Sequence, residues 1–197
     1  MAQQGGTPQV HLIGEIKSAQ GFDGNRVFCK YSVRTGRNWI LVAGKNSGET
    51  YEEVKDETES ETQWDHPFDL HYKAKAIRGW PKFFVEVWSA DSEGRYSIGG
   101  YGIGIVPFSA GQHSITIHCW RPKPQGFFKQ LAASLLGIQP ELTFKDMVMS
   151  SAERFGMECE STGTVTIDVG VITKDFGVHG VNLQENMLPV GTEMKAA

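Results

Sequence analysis

The sequence predicts an all-β protein, an antiparallel β-sandwich of about eight strands with one short inserted helix. Three observations lead there. Apolar and polar residues alternate with period two, as half-buried strands require. Turn-forming clusters separate these runs at short intervals. Glycine supplies 23 of 197 residues, about 12% against a usual share of roughly 7% and without a collagen repeat, which points to many tight turns.

Taken in order, the first strand is expected at 10–18 and the second alternates Val27, Cys29, Tyr31 and Val33 with Arg26, Phe28, Lys30, Ser32 and Arg34. Strands follow at 38–43 and 68–72. Phe83, Val85 and Val87 alternate with Phe84, Glu86 and Trp88, so that strand is largely apolar on both faces. The next is expected at 96–106. Ile115, Ile117 and Cys119 repeat the pattern, and Val165, Ile167, Val169 and Val171 give its cleanest case. Gly21-Phe22-Asp23-Gly24, Arg78-Gly79-Trp80-Pro81, Asp91-Ser92-Glu93-Gly94 and Ser161-Thr162-Gly163 mark turns between them.

Two stretches break the rhythm. Over 126–136, Phe128, Leu131, Ala132 and Leu135 fall at helical spacing before Gly137 and Pro140, which predicts a short amphipathic helix. It either caps an open end of the sandwich or meets a partner or a membrane surface. Within 49–61, seven carboxylates (Glu49, Glu52, Glu53, Asp56, Glu57, Glu59, Glu61) surround Lys55, a run expected to form a solvated loop or edge, with docking of a basic partner or gathering of calcium as the alternatives. Residues 1–9 are expected to be flexible and 182–197 to be a disordered tail, leaving one domain at 10–181.

The net charge of −4 carries no nucleic-acid signature. No apolar run approaches the ~20 residues of a membrane span, and the polar start is no signal peptide. Three cysteines, Cys29, Cys119 and Cys159, are too few and odd in number for a disulfide framework. These features are those of a soluble, intracellular, reduced protein. Gly100-Tyr101-Gly102-Ile103-Gly104 has the glycines of a nucleotide loop but no following helix, so it reads as a twisted or bulged strand. There is no nucleophile elbow, phosphate loop or zinc-type cysteine pair. His118 and Cys119 adjoin in a strand and so point to opposite faces. No enzyme and no cofactor is expected.

Several blocks, in order over about 10–180, resemble the B9-domain family. They are Val10-His11-Leu12-Ile13-Gly14-Glu15-Ile16, Phe28-Cys29-Lys30 with Thr35-Gly36, and Trp64-Asp65-His66-Pro67-Phe68-Asp69-Leu70-His71-Tyr72. Gly79-Trp80-Pro81, the run from Val87 to Arg95, Gly100-Tyr101-Gly102, Trp120-Arg121-Pro122 and Gly163-Thr164-Val165 complete the set. The acidic stretch and the chain beyond about Val181 look like additions to the family pattern. The resemblance implies a C2-type sandwich acting as a scaffold at the ciliary transition zone, the basal body and the base of the axoneme. The implied partners are other B9-domain proteins (B9 domain-containing protein 1 and the Meckel syndrome type 1 protein) and tectonic-like complex members.

The C2 connection raises two further chemistries. Calcium needs six to eight oxygen ligands. The expected loops offer Asp23, Asp91 and Glu93, which are either weak calcium candidates or turn formers. Arg26, Lys30 and Arg34 line one face of the second strand, with Lys73, Lys75 and Arg78 able to extend it. Such a stripe is either solvated or a peripheral-membrane, phosphoinositide-type contact. For protein partners, the candidate anchors are Trp80, Trp120 and Arg121, because buried aromatic and arginine residues dominate interface energies; the alternative is that both tryptophans fill the ends of the sandwich.

Overall fold

The computed structural model describes residues 6–54, 61–91, 93–123 and 158–177. Among them lie ten strands: β1 (Gln9–Gln20), β2 (Arg26–Arg34), β3 (Trp39–Gly44), β4 (Ser47–Glu49), β5 (Glu53–Val54), β6 (Glu61–Ala74), β7 (Lys82–Ala90), β8 (Tyr96–Ile105), β9 (Gly111–Pro122) and β10 (Cys159–Lys174). All pairings are antiparallel, in the order β3-β6-β1-β10-β9-β8-β7-β2-β4, with β5 also on β2. The all-β antiparallel expectation holds. The described residues contain no α-helix. The helix expected at 126–136 and the tail at 182–197 lie outside them.

The expected count of about eight strands is corrected to ten among the described residues. The extra pieces, β4 and β5, lie at the start of the acidic run, β4 ending at Glu49, and both pair with β2. Charge explains why so acidic a segment takes up edge positions: cross-strand pairs of opposite charge are favourable. Lys30 lies opposite Glu49 with Nζ 3.6 Å from the carboxylate, and Arg26 donates from Nε to Glu52. Strand β6 also starts earlier than the expected 68–72. Pro67 suggests a strand start, yet it lies beyond the end of β3, where β6 has a neighbour on one side only. The register slips between Ile16 and Ser18 of β1, and Asp65 on the facing stretch of β6 takes φ 43°.

The sheet curls so that its two halves face one core. β2 and β6 are far apart in the hydrogen-bonded order, yet Tyr31 and Phe68 meet at 6.4 Å and Phe68 meets Phe83 of β7 at 5.2 Å. Trp64 donates its indole N–H across the layers to the Val27 carbonyl at 3.2 Å. Val165, Ile167, Val169 and Val171 of β10 all point into this core, as the alternation predicts.

Core and surface aliphatics should therefore differ sharply in urea denaturation. Ile167 is fully buried, and Ile167→Ala is expected to cost about 2–5 kcal/mol. Ile13, 43% exposed on the outer face of β1, should lose under about 1 kcal/mol as Ile13→Ala.

Candidate partner-binding surface

Period two places Phe28 and the cations of β2 on the outer face. Phe28 stacks on Trp88 of β7 at 6.4 Å and 10°, and meets Tyr96 edge-on at 5.7 Å. Lys30 Nζ lies 5.4 Å from the Trp88 ring and 5.6 Å from that of Phe28. The Arg34 guanidinium sits 4.6 Å from the Phe84 ring. Such contacts hold a cation by the ring quadrupole. The stripe proposed for lipid head groups is thus on one face, but Arg26 and Lys30 already meet Glu52 and Glu49, and Arg34 lies on an aromatic ring. Glu52 also accepts the Tyr96 hydroxyl. That hydrogen bond first, and Arg26 next, hold the Glu52 carboxyl below its ordinary range.

The calcium candidates are each engaged with an arginine. Asp91 accepts the N–H groups of Glu93 and Arg95 at 2.9 and 3.0 Å and Arg95 Nε at 2.8 Å. Glu93 lies 3.2 Å from the same guanidinium. The backbone and side chain of Arg95 hold the Asp91 carboxyl below its usual value. Asp23 stands 3.7 Å from Arg121, whose Nε meets Glu160 at 2.5 Å. Among the described residues, no three His, Cys, Asp or Glu side chains are grouped to hold a metal ion.

Trp80 is a packing residue, as the reading that it fills an end of the sandwich expects. It is 5% exposed and donates its indole N–H to the Val106 carbonyl at 2.9 Å. Trp39 meets it perpendicularly at 5.3 Å, with Phe108 at 4.8 Å and Phe176 at 5.9 Å. Gly36 and Gly79 make this seat possible. Gly36 N–H donates to the Gly79 carbonyl at 2.8 Å, and Gly79 has φ +84° with any Cβ falling 2.4 Å from Gly36 Cα. Trp120 instead is half-buried on the outer face, 6.1 Å from Tyr101, in a second small cluster with Phe84, Trp88, Ile98 and Ile103. Arg121 is held beside it by Glu160 and Asp23.

Sequence reasoning did not single out Phe28, Trp88 and Tyr96. The signal available was the apolar character of both faces around Trp88. Cys29 and Cys119 are buried in the core, where burial pushes the Cys119 thiol up to about 12, so both act as packing groups. His118 is exposed while Cys119 is buried, the opposite-face arrangement expected.

These features define an all-β domain built on one curled antiparallel sheet, with aromatic and cationic surfaces and no metal cluster among the described residues. The chain belongs to the B9-C2 family: the model described as "Ciliary basal body-associated, B9 protein" matches residues 10–172. B9 domain-containing protein 2 of Rattus norvegicus is 37% identical over 173 residues, covering 88% of this chain and 98% of the relative. The Danio rerio protein of that name is 38% identical with the same coverage. B9 domain-containing protein 1 of Xenopus laevis is 28% identical over 186 residues, 92% of this chain and 94% of the relative. The C2A domain of plant Extended Synaptotagmin 1 aligns over 86% of this chain and 96% of that domain, at 12% identity and a TM-score of 0.43.

Two measurements check this surface. A calcium site occupied at 100 times its dissociation constant would add about 2.7 kcal/mol, which raises the melting temperature by several degrees. With Asp91 and Glu93 turned to Arg95, melting in millimolar calcium and in excess chelator should agree within about two degrees. In an NMR titration Glu52 should deprotonate below an ordinary glutamate, and Tyr96→Phe should move it back up. Because the folded pKa is the lower one, its contribution is present above the unfolded pKa and lost as pH falls through the folded value. Pairing of β5 on β2 should accordingly loosen in acid and not at neutral pH.

Proposed function

We propose that the chain is a non-catalytic scaffold subunit at the cytoplasmic side of the cilium base, in the transition zone and at the basal body. It binds other B9-domain proteins, with B9 domain-containing protein 1 and the Meckel syndrome type 1 protein as the first candidates, alongside tectonic-like complex members. In that role it supports ciliogenesis and the ciliary diffusion barrier. The observation that carries this reading is the match of a ciliary basal body-associated family model over residues 10–172. Nearly full-length coverage of relatives named B9 domain-containing protein 2 adds support. The C2-type description of the curled sheet belongs to the same reading. The carboxylates on Arg26 and Lys30 weigh against membrane binding through β2, since little of that charge is left to face a lipid surface.

Trp120 and Arg121 are the proposed contacts of this scaffold, with Trp80 as support beneath. Tagged chain purified from ciliated cells should bring down B9 domain-containing protein 1. Trp120→Ala should weaken that capture at least several-fold with only a modest drop in melting temperature. Trp80→Ala should instead cost about 3–5 kcal/mol of stability, because it empties a buried aromatic site. Failure of the wild-type chain to capture any B9-domain protein would overturn the scaffold reading.

A further inference from the structure

The two ends of the hydrogen-bonded order are unlike. At one end, β4 and β5 are short and carry Glu49 and Glu53, the usual ways of making an edge unattractive to other strands. At the other end, β3 is six residues of Trp-Ile-Leu-Val-Ala-Gly, with no charge in it. Among the described residues β3 pairs with β6 alone. A bulge between Leu41 and Ala43 is its single blunting device, and Ile40 and Val42 remain 52% and 45% exposed. Cations surround this strand. Arg37 precedes it and Lys45 follows it, Lys73 lies opposite Ile40, and Lys75 is tied to Asn38 by a backbone bond of 2.9 Å. Arg78 adds a charge beside Trp39, whose indole N–H its carbonyl accepts at 3.3 Å. All of these cations are exposed, and none pairs with a described carboxylate.

We infer that β3 is a strand-addition site, taking an extended segment of a partner protein whose uncharged, β-branched centre is flanked at both ends by Asp or Glu. The open edge supplies main-chain donors and acceptors, Ile40 and Val42 supply apolar contact, and the flanking cations select acidic ends. A second copy of this chain fits poorly. Antiparallel self-pairing about Leu41 sets Arg37 of each copy against Lys45 of the other, and like charges directly opposite are unfavourable. A bilayer also fits poorly, because burying an open strand edge in hydrocarbon leaves its N–H and C=O groups unpaired. The inference deepens the scaffold reading and rests on it for the kind of partner.

The test uses the full chain, Ile40→Lys/Val42→Lys and Arg37→Glu/Lys45→Glu, with melting temperatures measured first to confirm folding. The probe is a fluorescent peptide with a Val-Thr-Ile-Thr-Val centre and two acidic residues at each end, beside the same centre with lysine ends. The acidic-ended peptide should bind the wild type at least tenfold more tightly than either variant, and more tightly than the lysine-ended peptide binds. Added salt should weaken it. Amides within 39–44 should gain protection from hydrogen exchange when it is bound. Equal binding by the variants, or no binding by the wild type, would overturn the inference. So would a wild-type dimer abolished by Ile40→Lys/Val42→Lys, or capture by phosphatidylserine vesicles abolished by Arg37→Glu/Lys45→Glu. Capture of B9 domain-containing protein 1 that survives in Ile40→Lys/Val42→Lys would remove β3 as the docking edge and leave the scaffold reading intact. Absent capture by the wild type would sink the scaffold reading, with the peptide still deciding β3.

Discussion

Bare backbone on β8 lets one sheet turn a corner and close on its own core. Strands β8 and β9 pair only at Tyr101 and Trp120, so the hydrogen-bonded path bends there from one layer to the other. Side chains from β9 must then lie directly against β8. A Cβ on Gly102 would fall 2.5 Å from Ile117 Cγ2 and 2.9 Å from Cys119 Sγ, and one on Gly104 would fall 2.7 Å from Ile117 Cδ1. No side chain fits without parting the layers. The slip between Val87 and Trp88 against β8, with Gly99 as the extra residue, sets the phase. It turns Gly100, Gly102 and Gly104 inward and leaves Ile98, Tyr101 and Ile103 for the outer cluster. The glycine run that superficially resembles a phosphate loop is thus a packing device.

That corner also determines what the surface offers. Once the layers close, strands β3 and β4 are joined through Lys45 and Asn46, and the Asn46 carbonyl accepts Val33 N–H at 2.7 Å. Glu52 and Glu49 are brought onto Arg26 and Lys30, while the cations around β3 are exposed. A formal net charge of −4 conceals this separation of acidic and basic edges. Electrostatic selection of partners follows from where charges stand, not from their sum.

Most of the fold is legible in the amino-acid sequence. The strand at 165–171 could be read because every second residue is aliphatic, and β2 because four apolar side chains alternate with cations and a phenylalanine. Those periodicities are local consequences of burying one face. Less legible were β4 and β5, whose pairing depends on cations of β2 some twenty residues earlier in the chain, and the start of β6, where Pro67 hides a strand that has lost one neighbour. The candidate site was legible only in part. Trp120 and Arg121 do lie together at the end of β9, whereas Trp80 turned inward, because a tryptophan beside glycine and proline looks the same from sequence whether the turn is open or packed.

The sequence by itself determined the antiparallel all-β class, the identity of the inward residues and the absence of a recognisable catalytic motif, since each depends on residue type at short range. Family membership was legible in its ordered motifs for the same reason. Tertiary structure alone decided which cations meet carboxylates, which aromatic rings are covered and which strands end the hydrogen-bonded order of the described residues. Most of these are relations between residues far apart in the chain, such as Arg26 with Glu52 and Tyr31 with Phe68. Period-two alternation sets which face a residue takes but carries no information about which strand lies beside it.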